Sequence, residues 1–310
     1  NPYHPYHQTK ITDFNLIKKP LRLEDLNFQG VEVMRPIIVL GLFDGMSCGQ
    51  LALNNLPLPV KSYYSSEVDK YAISITQKNF PNTIQLGDIT ELDTTKLPQI
   101  DLLMGGSPCQ SFSNMGDGTG FDGKSKLFWE FVRVLKETKP KYFLFENVVM
   151  RKDWVEIISN ELGVKPIKIN SGLVSTQRRN RLYWTNIPNI TQPEDLGLDF
   201  KDIIETEVDV KYQLTPRAIE RVRQKQGYDL VGFKSKCLFA TYYKNSSNSR
   251  EGQIIETPNY LRRLTPRECE ILQTVPIGYT EGVSDTQRYK MLGNGWTVDV
   301  ISHILQEMVF

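Results

Sequence analysis

Residues 100–113 read Ile-Asp-Leu-Leu-Met-Gly-Gly-Ser-Pro-Cys-Gln-Ser-Phe-Ser. The apolar run Ile100 to Met104 predicts a buried strand. The glycines, Ser107 and Pro108 predict a loop that begins where the strand stops. Cys109 is thereby delivered at the end of a strand, where open α/β sheets keep their ligands and chemistry. Structural burial is the commoner role of a cysteine. Cys109 gains meaning from its company: Glu146-Asn147-Val148 after the next strand, and Gln177-Arg178-Arg179-Asn180-Arg181 after a later one.

Outward from this stretch, strand-like and helix-like segments alternate. Ile37 to Phe43 is unbroken and β-branched, as a buried strand would be. Gln50 opens a helix that Pro57 ends, Lys61 to Glu67 is a second strand, and Lys70 to Asn79 a helix stopped before Pro81. Thr83 to Leu86 is a short third strand and Ile100 to Met104 the fourth. Phe128 to Thr138 is an amphipathic helix, with Phe128, Phe131, Val132 and Leu135 on one face. Tyr142 to Phe145 is a strand that delivers Glu146 at its end. A helix follows over Trp154 to Leu162, and Pro166 to Ile169 and Arg181 to Trp184 complete the sheet. Strands separated by helices imply parallel pairing, so the expected fold is α/β, a doubly wound and mostly parallel sheet of Rossmann-like type with a small second lobe. The expected divisions are an N-terminal arm over 1–35, a main domain over 36–186, the lobe over 187–262, and a segment over 263–310 that returns to the main domain. In that last segment Thr265-Pro266-Arg267-Glu268 reads as a capping box at a helix start, and a final helix spans about Val298 to Met308.

At 310 residues, 40% hydrophobic and 24% charged, the chain is ordinary for a globular protein. No apolar run approaches 18 residues, so no membrane span is expected, and the first residues have no apolar segment behind them that would make a signal peptide. Cys48, Cys109, Cys237 and Cys269 are far apart and there are only three histidines, which argues against a metal site. Free thiols point to a cytoplasmic setting, with Cys48 and Cys269 packed rather than reactive. Net charge is only +1, yet residues 211–250 carry nine basic residues against two acidic ones. A polyanion-binding face would look like this; so would a solvated helix surface followed by a lysine-rich loop.

The combination resembles the cytosine-C5 DNA methyltransferase family, from about Ile37 to Leu305 and with the motifs in the family's order. Leu42-Phe43-Asp44-Gly45-Met46-Ser47-Cys48-Gly49 is similar to the variant found in the eukaryotic de novo enzymes. The commoner bacterial form has an Asp before Leu-Phe and then Ala-Gly. Here Gly41 stands where that Asp would be and Asp44 replaces the Ala. The compact chain and short lobe favour a bacterial or phage enzyme.

Cytosine C5 is a poor nucleophile, and addition of a thiolate to C6 makes it a good one. The resemblance gives that thiolate to Cys109. Glu146, protonated, would donate to N3 of the ring, or, ionised, accept from the exocyclic amine. Arg179 and Arg181 are two apart and would share one face of a strand, one reaching O2 of the cytosine and the other the thiol loop or a phosphate. The methyl donor would be S-adenosyl-L-methionine. Its pocket would be formed by Phe43, Asp44, Gly45, Glu67, Val68, Asp88, Ile89, Pro108, Asn294, Gly295 and Trp296, with Glu67 on the ribose, Asp88 on the adenine amine, and Phe43 and Ile89 against the ring. Asp44 could instead cap the next helix. No full Gly-X-Gly-X-X-Gly fingerprint is present, which argues against a nicotinamide cofactor.

A base inside a duplex must be flipped out to be reached, and the glycines between Ser111 and Lys126 fit a loop that closes over it. Gln110, Ser111 and Ser113 on that loop, and Lys234, Lys236, Tyr242, Lys244 and Asn245 in the lobe, are the expected DNA-contacting residues. The expected partners are double-stranded DNA, bound by a monomer, and a cognate restriction endonuclease. A tRNA cytosine-5 methyltransferase would use the same residues. A catalytically silent DNA-binding homologue should have lost Cys109 or Glu146, and both are present.

Overall fold

The computed structural model describes residues 35–108, 127–224, 233–244 and 252–310. The predicted alternation is present as a seven-stranded sheet: β1 (Ile37–Leu42), β2 (Val60–Ser66), β3 (Ile84–Gln85), β4 (Leu102–Gly105), β5 (Tyr142–Val148), β6 (Ile167–Asn170) and β7 (Asn180–Thr185). Helices α1 (Cys48–Asn54), α2 (Lys70–Asn79), α3 (Leu127–Thr138) and α4 (Lys152–Leu162) lie between the strands. Strand order is β3-β2-β1-β4-β5-β7-β6. Successive residues feed opposite faces: Val39, Leu102, Met104 and Leu144 enter one apolar cluster, and Leu40, Leu103, Phe143 and Phe145 the other. Two covered faces are what unbroken apolar strands require.

Two expectations are corrected. β7 runs antiparallel to both β5 and β6. The connection from Asn170 to Asn180 is too short for the dozen or more residues of a parallel crossover. Glu146 also does not end its strand: β5 continues to Val148, and Glu146 pairs with Tyr183 in mid-ladder.

The chain after β7 builds helix α5 (Pro216–Gln224) and a two-stranded ribbon, β8 (Ile254–Glu256) and β9 (Leu261–Arg263). Leu214, Ala218, Ile254 and Leu261 form a cluster of their own. Leu238, Tyr242 and Ile255 instead join the core that also contains β1, β4 and β5. The chain then returns through α6 (Pro266–Leu272), α7 (Asp285–Asn294) and α8 (Val298–Leu305). α6 carries the predicted capping box between Thr265 and Glu268. Sequence reading missed α7, whose buried Tyr289, Met291, Leu292 and Gly293 make no regular stripe. Among the described residues no helix is long and apolar enough to cross a membrane, and no cluster of His, Cys, Asp and Glu is placed to hold a metal ion.

Candidate active site

β1 and β4 are neighbours although β2 and β3 follow β1 in sequence. Their C-terminal ends therefore flank the crevice where chain direction switches, the usual ligand position in such sheets. A cavity of about 520 Å³ opens there. Its walls include Phe43, Asp44 and Gly45 after β1, Glu67 and Val68 after β2, Asp88 and Ile89 after β3, and Pro108 after β4. Glu146, Arg179 and Arg181 line it too, with Asn294, Gly295 and Trp296 from the end of α7. Fourteen residues singled out from sequence thus meet in one cavity. Cys109, Gln110, Ser111, Ser113 and Asn245 lie outside the described residues, as does the glycine-rich stretch to Lys126.

Glu146 is the junction of the site. It is 8% exposed. Arg181 Nε lies 3.0 Å from its Oε1, and the Trp296 indole Nε1–H donates to its Oε2 at 3.0 Å. A cation, an indole from the C-terminal segment and the strand carboxylate are so fixed together. Asn147, adjacent, donates from Nδ2 to the Ser107 carbonyl at 3.3 Å, two residues before Cys109. It thereby anchors the loop that carries the cysteine, a role its place in the Glu-Asn-Val motif could have suggested.

The two arginines do not share a task. Arg181 reaches Glu146. Arg179, just before β7 and 3% exposed, donates to the carbonyls of Leu238 at 2.8 Å, Gly293 at 3.2 Å and Gly295 at 2.9 Å. It fastens the lobe and the C-terminal segment to the sheet, chiefly through these bonds to backbone carbonyls. Gln177, fully buried, does likewise, donating to Leu272 O and accepting from Leu238 N. Sequence reading passed over Cys237, whose Sγ lies 3.4 Å from Arg179 Nη1 and 3.9 Å from Arg181 Nη2. Burial opposes ionisation of this thiol, but the two guanidinium charges outweigh it and hold its pKa below the ordinary value. Cys48 and Cys269 are buried as expected, and burial pushes Cys48 up to about 12.

On the cofactor side, the turn after β1 is held by carboxylates. Glu67 Oε2 accepts from Gly45 N at 2.7 Å, and its Oε1 from Val68 N and Asp69 N at 2.8 Å. Oε2 keeps a further lone pair for a donor in the cavity. Asp88 lies in the turn beyond β3, and its Oδ1 accepts from Thr90 N and Oγ1. These bonds hold its carboxyl below the usual range. Asp44 does not cap α1. Its carboxylate accepts from the hydroxyls of Ser47, Tyr63 at 2.7 Å and Ser65 at 2.9 Å. A Cβ at Gly41 would overlap Asp44 Oδ1 and come within 2.6 Å of the Tyr63 hydroxyl, so the carboxylate at 44 occupies space that a side chain at 41 would need. Burial raises the Asp44 pKa to about 6, against the lowering effect of the three hydroxyls. Lys290 closes the rim by an ion pair to Asp69 at 2.5 Å.

Of the expected DNA contacts, Tyr242 is corrected. It is 1% exposed, and its hydroxyl donates to Gln253 O and accepts from Leu264 N, as a core residue. Lys234 donates to Ser175 O. Neither these two nor Lys236 and Lys244 line the cavity.

A family model described as C-5 cytosine-specific DNA methylase matches residues 37–154 and 165–309. The Type II methyltransferase M1.ScrFI of Lactococcus lactis subsp. cremoris is 32% identical over 87% of this chain and 77% of its own length. M.NlaX of Neisseria lactamica is 30% identical over 87% and 95%. Among solved structures, the methyltransferase EhMeth of Entamoeba histolytica superposes with a TM-score of 0.74 at 18% identity, covering 88% of this chain and 98% of that one, a likeness of fold. The sheet order, the cavity at its switch point and the run of motifs from Phe43 to Trp296 thus have one common source: the chain belongs to the C-5 cytosine-specific DNA methylase family.

Proposed function

We propose that the protein is a DNA (cytosine-5) methyltransferase that uses Cys109 as its nucleophile and takes duplex DNA as its substrate. The observation that carries the reading is Glu146, held between Arg181 and Trp296 at 3.0 Å from each, beside the Asn147-anchored strand end that leads into Cys109.

The family's cofactor is S-adenosyl-L-methionine, which when bound supplies an electrophilic methyl group. The cavity's residues fit it: the carboxylates of Glu67 and Asp88 suit hydroxyl and amine donors, and Phe43, Ile89 and Val68 supply apolar wall. At the other end of the cavity, the Cys109 thiolate adds to C6 of a flipped cytosine, and the ring electrons move toward N3 and O2. Ionised, Glu146 accepts from the exocyclic amine; on protonation it donates to N3. Arg181 holds that carboxylate in place. The electron pair so raised at C5 would form the bond to the methyl group that the bound cofactor supplies, with S-adenosyl-L-homocysteine leaving, and transfer of the C5 proton to solvent would then expel the thiolate and restore the ring. Residues 187–262 act as the DNA-recognition lobe, supported by their basic excess. The Type II designation of its relatives supports a restriction–modification setting with a cognate endonuclease.

The test is trapping. Duplex DNA containing 5-fluorocytosine, incubated with the protein and S-adenosyl-L-methionine, should give a covalent adduct on a denaturing gel, because fluorine cannot leave as a proton does. Cys109→Ser should abolish the adduct and methyl transfer while DNA binding persists. Methyl transfer to tRNA with none to duplex DNA would reverse the substrate assignment.

A further inference from the structure

A second cavity, of about 280 Å³, lies in the lobe. Its walls carry Lys211, Gln213, Thr215, Arg217, Arg221 and Arg263. Arg217 and Arg221 are four apart on α5, so they present their charges on one face of the helix. Away from them, Ile219 and Val222 pack against the cluster of Leu214, Ala218, Ile254 and Leu261. The apolar face therefore fixes which way the arginines look. Arg263, on β9, is anchored by its Nη1 and Nη2 to the carbonyls of Tyr243 and Lys211 at 3.0 and 3.1 Å. Its Nε–H is buried with no acceptor among the described residues. Among the described residues one carboxylate serves the group: Asp285, 2.8 Å from Lys211. Among the described residues Arg217 and Arg221 have no ion-pair partner. Like charges at this spacing repel, so the arrangement holds cationic donors together without the anion that would balance them.

We infer that this cavity is a seat for a backbone phosphate of duplex DNA. Guanidinium forks match the oxygens of a phosphodiester, and contacts of this kind position a duplex without reading its sequence. Asp285, which holds Lys211 at the seat, begins α7, and the same helix ends at Asn294 in the cofactor cavity. At 1.5 Å per residue the two sites stand about 15 Å apart along that helix, within the span of one duplex. The identity of the polyanion rests on the DNA methyltransferase reading; the seat itself rests on the four cations.

The experiment is fluorescence anisotropy of a labelled duplex against the full-length protein across a salt series. Arg217→Gln/Arg221→Gln should make the slope of log affinity against log salt shallower by about 2, and lower affinity at 0.1 M salt by about ten- to a hundredfold. S-adenosyl-L-methionine affinity and thermal unfolding should stay as in wild type. The Arg217→Lys/Arg221→Lys pair, which keeps both charges, should keep the slope. Lys61→Gln/Lys165→Gln, two exposed lysines outside the lobe, should leave slope and affinity unchanged. Equal slopes for wild type and the Gln pair overturn the seat and leave the methyltransferase reading intact. An equal drop in the Lys61/Lys165 control also overturns it, since any lost charge would then suffice. A wild type that binds duplex DNA with the expected slope change but traps no adduct retains the seat and overturns the reaction. A wild type that binds no duplex DNA overturns both.

Discussion

Asp44 shows what a single residue can hide. Its place between Phe43 and Gly45 suggested either the cofactor or the next helix; the side chain lines the cavity and does not cap the helix. It turned to Ser47, Tyr63 and Ser65. Tyr63 and Ser65 come from the neighbouring strand, brought close because Gly41 registers with Ser65 in the β1–β2 ladder. No local pattern encodes that pairing. The consequence is measurable. The folded pKa of about 6 lies above the ordinary carboxyl value of 3.8, so the folded state holds the proton more tightly than the unfolded one. Stability from this group is present below about pH 4 and lost as pH rises through 6. The loss is up to about 3 kcal/mol, reduced by solvent at the cavity mouth. Asp44→Asn should remove that part of the pH dependence, because the three hydroxyls can donate or accept. Urea unfolding of both proteins at pH 4.5 and 7.5 would show it: the variant should gain on wild type at the higher pH. An unchanged difference between the two pH values would refute the assignment.

At the scale of an element, α6 divides what is local from what is not. Thr265, Pro266 and Glu268 announce its start in the sequence, and the capping box forms as expected. The sequence does not announce that Glu268 also holds Arg262, with both side chains fully buried and 2.7 Å apart. Arg262 further donates to Glu205 O, and Glu268 accepts from Glu205 N. A capping residue is therefore also the counter-ion of a buried cation that joins the lobe to the C-terminal segment. Glu268→Ala should destabilise the protein by about 3–5 kcal/mol, since it strands the guanidinium and removes a cap. Arg262→Met/Glu268→Leu should recover much of that loss, as buried pairs replaced by apolar groups often do. Chemical denaturation of the three proteins would check it; a loss below about 1 kcal/mol for Glu268→Ala would show that the pair contributes little.

Across the whole molecule, the lobe shares its core with the sheet. Leu238, Tyr242 and Ile255 pack in one cluster with Val39, Met104 and Leu144, and Arg179 adds hydrogen bonds to Leu238, Gly293 and Gly295. Thermal unfolding followed by far-ultraviolet dichroism and by tryptophan fluorescence should therefore give coincident transitions; a separate, earlier step for the lobe would contradict a shared core. The sequence by itself determined the strands, their two apolar faces, the capping box and the residue types that line the catalytic cavity. These follow from periodicity and from motifs at strand ends, which are local. Tertiary structure decided direction and partnership. β7 runs antiparallel because too little chain separates it from β6 for a crossover. That reversal brings its first residues to the C-terminal end of β5, where Arg181 registers with Val148. In a parallel strand Arg181 would start at the far edge of the sheet, and Glu146 would have no cation beside it. The separate task of Arg179, the burial of Tyr242 and the position of Cys237 depend on the same docking of lobe on sheet, which no short stretch of chain can specify.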